Sequence, residues 1–452
     1  LVPLTQDKAS SDSYLKLSIL DFEVFGSTQH NESLGLARRL LRDVPERFVV
    51  DDFIEAGNYI FFNLVKQLQK LTPDQLLSHY SGGKKKKYQK AYADLLDFPL
   101  TPKHFYATSF VKKARVSDVS EYPRMVHFRK YGAIFELLRY VKPIEACLYK
   151  QKLRVNQLIS VGRCVAKGRN GSQRAKDIEK KWDAFKDPEC LSLDCSSFEL
   201  HVSKDYLEME NLLLRAFYKR DKYLKWMLKN MLYNTGFTMC NMKWSRTGGR
   251  ISGDAHTGLG NTLAMLVCVI GLSFRYPMIK MDCYSDGDDT LLFLERGSLD
   301  YQLIVEHFAA FGHELRLDGV AHVIEDIVFC KHHLLDGFYI RNPLEIVQKS
   351  LVILNSSVTS VEKLIEHLGA LGKGIMASYG CIPELRRFIN VMISFDKNAE
   401  PSSEFWLNYL RQEGSLAVGR IYDVYDFDSS ALESIVDILV YLSTHRSAMT
   451  IN

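Results

Sequence analysis

The sequence predicts an α+β protein, and three observations carry that prediction. Residues 281–295, MDCYSDGDDTLLFLE, read as a β-hairpin, with apolar flanks and Asp286-Gly287 at the turn. The stretch CLSLDCSSFELHVS over Cys190–Ser203 is strand-like and then helical. Helical patterns fill Lys204–Tyr233 and most of the chain from Val361 onward.

Taken in order, Gly57–Leu71 (GNYIFFNLVKQLQKL) has helical periodicity and is expected to pack. From Ser78 to Lys176 basic and aromatic residues interleave, as in HYSGGKKKKYQKAYADL, FVKKARV and YPRMVHFRKYGAIF. Such interleaving suits a groove that tracks phosphates and stacks bases. The Gly-rich turn RTGGRISGD opens a helix near Ala255. Near the C-terminus, Ser430-x-x-Glu433 has the form of a capping box. There is no internal repeat and no low-complexity tail.

The 452 residues suggest about three domain-sized units or one large enzyme. A 46% hydrophobic, 25% charged composition is that of a chain able to bury a sizeable core. Nine cysteines without a C-x-x-C pair argue against a disulfide framework and a zinc ribbon. The longest apolar run near the middle, Thr262–Phe274, is expected to be too short to span a bilayer. No signal-peptide pattern opens the sequence. The net charge of +4 hides an asymmetry: Ser81–Lys176 holds 22 Lys and Arg against 6 Asp and Glu, so the remainder carries −12. A basic part beside an acidic part is what a polyanion binder with a metal site needs, although any single run, such as Lys84–Lys87, is equally a solvated surface.

Three readings compete for SDGDD. It can be a polar turn. As a calcium loop begun at Asp282 it fails, because Tyr284 occupies a ligand position and Phe293 stands where the bidentate Glu belongs. As a divalent-metal site it makes sense of adjacent carboxylates, since a cation offsets their repulsion. That reading needs a carboxylate from another strand end, and Asp194 in LSLDCSSFE supplies it. Alone, Asp194 would be a turn or cap residue. Ser252-Gly253-Asp254 with Thr257 and Asn261, four apart on one helix face, could grip a sugar or a backbone; alone it would be a capped helix start. No P-loop occurs, which disfavours that route of nucleoside-triphosphate hydrolysis.

The order of these parts, a strand-end Asp, a Gly-Ser loop into a helix and a GDD hairpin, resembles the palm of an RNA-dependent RNA polymerase. The chain is similar to the replicases of positive-strand RNA viruses, most of all the tombusvirus-like group, over roughly Ser78–Phe395. FVKK at Phe110–Lys113 looks like that group's F-V-K. YPRMVHFR at Tyr122–Arg129 resembles P-R-x-I-x-x-R, and Arg139–Glu145 follows it. AKGRN at Ala166–Asn170 and KWDAFKDP at Lys181–Pro188 lead into the first palm motif. GRISGDAHTGLGNTLA and YSDGDD resemble the second and third. EDIVFCK at Glu325–Lys331 and GKGIMASYGCIPEL at Gly372–Leu385 resemble the palm–thumb junction and the thumb.

The resemblance implies a right-hand polymerase: an antiparallel palm sheet backed by helices, with largely helical fingers and thumb. It implies a fingers extension over 1–75, fingers over 76–190, palm over 191–214, a fingers insertion over 215–247, palm again over 248–340 and thumb over 341–452. It implies RNA-directed RNA synthesis from nucleoside triphosphates by two-metal catalysis. Asp194 and Asp288 would hold two Mg²⁺ (Mn²⁺ could substitute) about 3.5–4 Å apart, with Asp289 supporting and Asp286 serving the turn. Lys112, Arg124 and Arg129 would cradle the triphosphate. Glu199 stands where the family has Asp; it would engage the ribose 2′-hydroxyl directly or through Ser252 and Asn261, with Thr257 beside them. Arg316 stands where a pyrophosphate-protonating Lys is expected; Arg holds its proton too tightly for that but can stabilise charge. His313 is the other candidate acid, or else a core or surface histidine. Expected partners are RNA template and product and nucleotides, with a viral auxiliary protein and, through a partner, a host membrane in the cytoplasm; no DNA is expected. A reverse transcriptase and a silent RNA-binding scaffold are the alternatives. The first would have an aromatic near Glu199, the second damaged metal carboxylates.

Overall fold

In the computed structural model, which describes residues 15–16, 23–42, 44, 51–113, 115–116, 122–335, 337–353, 358–380, 382–401, 429–445 and 449, the apolar run TLLFL at 290–294 is a strand buried on both faces. Eight strands organise the functional region: β1 (Ala107–Val111), β2 (Met125–Phe128), β3 (Pro188–Cys195), β4 (Tyr233–Thr238), β5 (Lys243–Thr247), β6 (Met281–Asp286), β7 (Asp289–Glu295) and β8 (Leu315–Ala321). The larger sheet has the order β8-β3-β7-β6, continued by the short strands Leu158–Ile159 and Arg154–Val155. Its ladders are antiparallel except where β6 meets Leu158–Ile159.

Side chains alternate along each strand, so the two faces of β3 and β7 enter different cores. Leu191, Leu193, Leu292 and Leu294 pack in the main core with the helix Thr257–Arg275. Cys190, Leu291, Phe293 and Tyr284 pack on the other face with Ala175 and Ile178 of the helix Gly171–Trp182. Each such Leu or Phe contributes about 1.5–3 kcal/mol by leaving water, which fixes the register firmly. The helix Thr257–Arg275 is longer than the apolar run suggested, and by length and composition it could cross a bilayer. Its most apolar window is 83% buried inside the protein, so it is a core helix.

A second, four-stranded sheet has the order β5-β4-β1-β2, with β1 parallel to β4. Its inner residues Ala107, Val111, Met125 and Trp244 meet Phe25, Leu36, Leu40 and Ile251. Further on, the helices Val361–Tyr379, Arg386–Phe395 and Ser429–Thr444 share a separate core through Leu368, Phe388, Met392 and Val436.

Four expectations are corrected. The helix at Asp51–Asn63 ends before Leu71; beyond it Leu64 and Leu68 pack as irregular chain, with the Leu68 amide on the Phe217 carbonyl. Lys204–Tyr233 is two helices, Lys204–Ala216 and Lys222–Lys229, separated where Lys219 and Arg220 take positive φ and Asp221 caps the second. The hairpin turn is Gly287-Asp288, because Asp286 pairs with Asp289 across the ladder. Ser430 lies within its helix, which already runs from Ser429, so it is not the cap.

Candidate active site

Carboxylates from two distant segments, β3 with the turn after it and the β6–β7 hairpin, meet at one end of the larger sheet. Asp194, the penultimate residue of β3, is directly opposite Arg316 of β8. The β3–β7 ladder places Leu193 opposite Thr290, and continuing that register sets Asp194 beside Asp289. Asp289 in turn faces Asp286. Cross-strand partners share a face, so Arg316, Asp194, Asp289 and Asp286 form one row across four strands.

The turn above this row is tightly specified. Gly287 has φ +79° and Asp288 has not left the negative region, the pattern of a hairpin turn with Gly at its first central position. The Gly287 amide donates to Thr262 Oγ1 at 3.1 Å, which pins the turn to the core helix. Asp286 is neutralised: its carboxylate pairs with Lys167 and Arg174. Burial pushes its pKa up, but these two cations outweigh that and hold it below the usual range. It is the end of β6, clamped by two cations, and not a turn residue.

Asp288 has the opposite environment. Burial first, then the charges of Glu199, Asp289 and Asp194, push its carboxyl up to about 6. Asp194 and Asp288 also both act on the buried Cys195 thiol, which burial raises well above its ordinary value. The sheet thus gathers negative charge that its own cations do not balance at Asp288. Hard carboxylate oxygens in such a field suit Mg²⁺ or Mn²⁺. Among the described residues no three Asp, Glu, His or Cys side chains are grouped as a ready-made metal cage. The donor chemistry fits a cation that takes few protein ligands and completes its shell elsewhere.

Glu199 reaches the site through a backbone reversal. Ser197 adopts a left-handed conformation (φ 49°, ψ 48°) between β3 and the one-turn helix Phe198–His201. Asn261 Nδ2 donates to Glu199 Oε1 at 3.5 Å, while Asn261 Oδ1 is buried and has no partner. The Glu199 carbonyl accepts from the Arg250 amide at 2.8 Å. Arg250 forks onto Glu210 at 3.1 and 2.6 Å, and His256 Nε2 lies 3.2 Å from the same carboxylate. This group is fully buried, and Gly260 leaves room for it: a Cβ there would fall 2.2 Å from Arg250 Nη1.

Other expected residues sit differently. Arg129 is 2% exposed and its guanidinium is engaged by Asp254 at 2.6 and 3.1 Å, Asn234 at 2.6 Å and the Phe105 carbonyl, so it ties the four-stranded sheet to the loop before the core helix. Lys112 and Arg124 are exposed and adjacent, the Lys112 amide donating to the Arg124 carbonyl. Thr257 Oγ1 donates to the Ile251 carbonyl at 2.7 Å and so closes the loop before its helix. Ser252 Oγ accepts from the His127 amide at 3.2 Å, leaving its own proton to donate. His313 is buried and stacked on Phe198 at 4.6 Å, the environment of a core histidine and not of an acid facing solvent.

Sequence reasoning missed Lys167, Arg174, the Glu210–Arg250–His256 group and the buried Lys181–Asp282 pair at 2.8 Å. Lys167 falls inside the AKGRN stretch, but nothing in its spacing points to Asp286.

The model of viral RNA-dependent RNA polymerases matches residues 42–417, wider at both ends than the motifs suggested. The RNA-directed RNA polymerase of Tobacco necrosis virus (strain D) is 28% identical over 350 residues, covering 74% of this chain and 48% of that protein. That of Tobacco necrosis virus (strain A) is 29% identical over 330 residues, 70% of this chain and 45% of the relative. That of Tomato bushy stunt virus (strain Cherry) is 30% identical over 271 residues, 58% and 33% respectively. The chain spans about half the length of the first two.

Proposed function

From the premise that the chain belongs to the family of viral RNA-dependent RNA polymerases, we propose that it joins ribonucleotides to an RNA 3′-hydroxyl under the direction of an RNA template. The observation that carries this reading is the shared charge of Asp194, Asp288 and Asp289 at one sheet end. In the right-hand arrangement that the family implies, the larger sheet is the palm, the basic region before it the fingers and the C-terminal helices the thumb.

Asp194 and Asp288 would hold Mg²⁺, with Asp289 beside them. Bound there, the metal supplies positive charge for the attacking hydroxyl and the triphosphate. The chain's own groups do the rest by position. Arg316, opposite Asp194, offers a fixed cation to the leaving pyrophosphate. Glu199 can accept from a ribose hydroxyl, and the unpartnered Oδ1 of the Asn261 amide that donates to Glu199 is a second acceptor. Those two acceptors favour a sugar that donates at C2′, and with it ribonucleotides over the reverse-transcriptase alternative. Lys112 and Arg124 offer exposed charge to an arriving triphosphate. RNA template, nucleotides and, through a partner, a cytoplasmic membrane with a viral auxiliary protein complete the proposal.

Labelled-nucleotide incorporation on an RNA template with Mg²⁺ tests it. Wild type should extend RNA, and Asp288→Ala should lose at least about a thousandfold of that rate, a loss on the scale of removing key charge stabilisation. Incorporation that needs no template, or that survives Asp288→Ala, overturns the reading.

A further inference from the structure

Asp286 shares a row with Asp194 and Asp289, yet cations of the protein take both of its oxygens: Lys167 pairs with Oδ1 and Arg174 with Oδ2. Asp286 faces Asp289 directly across the last rung of the β6–β7 hairpin. Residues so paired have Cβ atoms about 4.5–5.5 Å apart, close enough for two carboxylates to share one divalent cation.

The two cations are held differently. Arg174 belongs to the helix Gly171–Trp182, whose cap Asn170 accepts from the Gln173 amide at 2.8 Å. Its guanidinium carbon lies 5.8 Å from the Phe329 ring centre and 5.9 Å from that of Tyr339, and Nη1 donates to Cys330 Sγ at 3.6 Å. Such a guanidinium is a fixed part of the wall. Lys167 is the more accessible member, its side chain 26% exposed. A Cβ on Gly258 would lie 3.4 Å from Lys167 Cε, and one on Gly287 would lie 3.7 Å from Nζ. The ammonium therefore sits between the first turn of the core helix and the turn that carries Asp288.

The backbone puts Lys167 there. Residues 164–166 run parallel beside the end of β6, with Val165 opposite Ser285. The Ser285 amide donates to the Cys164 carbonyl at 2.9 Å, and the Ala166 amide donates to the Ser285 carbonyl at 2.8 Å. Gly168 follows at φ +76°. Arg169 then closes the turn, its amide donating to the Ala166 carbonyl at 3.0 Å and its guanidinium pairing with Asp177 at 2.9 Å. Both neighbours of Lys167 are thus fixed, and its ammonium meets the residue after Ser285.

We propose that Lys167 is a positioning residue of the active site: it covers Asp286 Oδ1 so that this carboxylate cannot join Asp289 around a divalent cation, and Asp289 stays available beside Asp194 and Asp288. The proposal rests on the reading of that site as a metal-dependent polymerase. Lysine suits the task because its ammonium is a compact charge that occupies one oxygen and offers no lone pair to a metal. Without it, Asp286 and Asp289 would take a cation in the wrong place and draw Asp289 away from Asp288.

The test counts bound Mn²⁺ by electron paramagnetic resonance without nucleotide or RNA, and measures kcat and nucleotide KM with Mg²⁺ on an RNA template. Lys167→Met should bind one Mn²⁺ more than wild type. Its kcat should fall at least about tenfold at unchanged KM, the scale of a misplaced reacting group. Lys167→Gln, whose amide can still donate to Asp286 and so guards against failure to fold, should behave in the same way. Lys167→Arg keeps the charge and should match the wild-type count. Lys167→Met/Asp286→Asn, which also removes the carboxylate set loose, should return to the wild-type count and recover most of the lost kcat. A wild-type Mn²⁺ count in both Lys167→Met and Lys167→Gln overturns the proposal. So does a double variant as slow as Lys167→Met, because a merely structural lysine is not rescued by the loss of its partner. So does a defect confined to KM, which would make Lys167 a nucleotide contact. A wild type that incorporates no nucleotide yet gives the predicted counts supports the proposal and removes the polymerase reading alone.

Discussion

Two aspartates separated by one glycine behave in opposite ways. Asp286 is clamped by Lys167 and Arg174, while Asp288 sits among Glu199, Asp289 and Asp194. Replacing each with its neutral isostere should separate structure from chemistry. Asp286→Asn leaves two partly buried cations facing each other and should lower stability by about 3 kcal/mol in urea unfolding. Asp288→Asn removes a carboxylate that burial and like charges already destabilise, so its melting temperature should equal or exceed that of wild type while incorporation is lost. A large stability loss in Asp288→Asn would contradict this account of its environment. The sequence made the carboxylates themselves conspicuous, because adjacent like charges need a reason. It did not tell which of them a protein cation neutralises. Lys167 and Arg174 reach Asp286 across more than a hundred residues, a relation that spacing does not encode.

At the scale of elements, the buried Glu210–Arg250–His256 group holds the loop that carries Glu199 and starts the core helix. Burial pushes the Glu210 carboxyl up, but Arg250 and His256 more than offset it and hold its pKa at about 2. Its contribution to stability is therefore complete above the ordinary carboxylate value near 4.5 and disappears as pH falls toward 2. Over that window wild type should lose about 3 kcal/mol that Glu210→Gln does not lose further. Equilibrium unfolding at several acid pH values checks this; equal acid slopes in both proteins would contradict it. Elements bounded by local chemistry were readable beforehand: the β6–β7 hairpin, β3 and the helix after RTGGRISGD. Those that depend on distant contacts were not. The Gly57–Leu71 periodicity continues past its helix because Leu64 and Leu68 are apolar for the sake of the main core. The helical stretch expected over Lys204–Tyr233 breaks at two positive-φ residues that carry no glycine signal. Arg129 was expected to cradle a triphosphate with Lys112 and Arg124, yet Asp254 and Asn234 hold it inside.

Across the whole molecule, the chain brings residues 194, 199, 261 and 286–289 to one end of a sheet whose strand order departs from sequence order. The order of motifs along the chain was legible; their convergence is a property of the fold. The basic stretch and the acidic remainder likewise meet here, since β2 from the basic part docks on the Ser252–Gly253 loop. If this assembly binds RNA chiefly through its cations, affinity should fall steeply and log-linearly with salt. A filter-binding series in which affinity ignored salt would contradict that. The account as a whole depends on Asp194 and Asp288 acting on the same divalent cation. Mn²⁺ binding followed by electron paramagnetic resonance, in wild type, Asp194→Asn, Asp288→Asn and the double variant, addresses this directly. The account predicts that each single substitution weakens binding at least about tenfold and that the double variant is little worse than either, the non-additivity of groups sharing one ligand. Wild-type Mn²⁺ affinity in either single variant, or strictly additive losses, would contradict it.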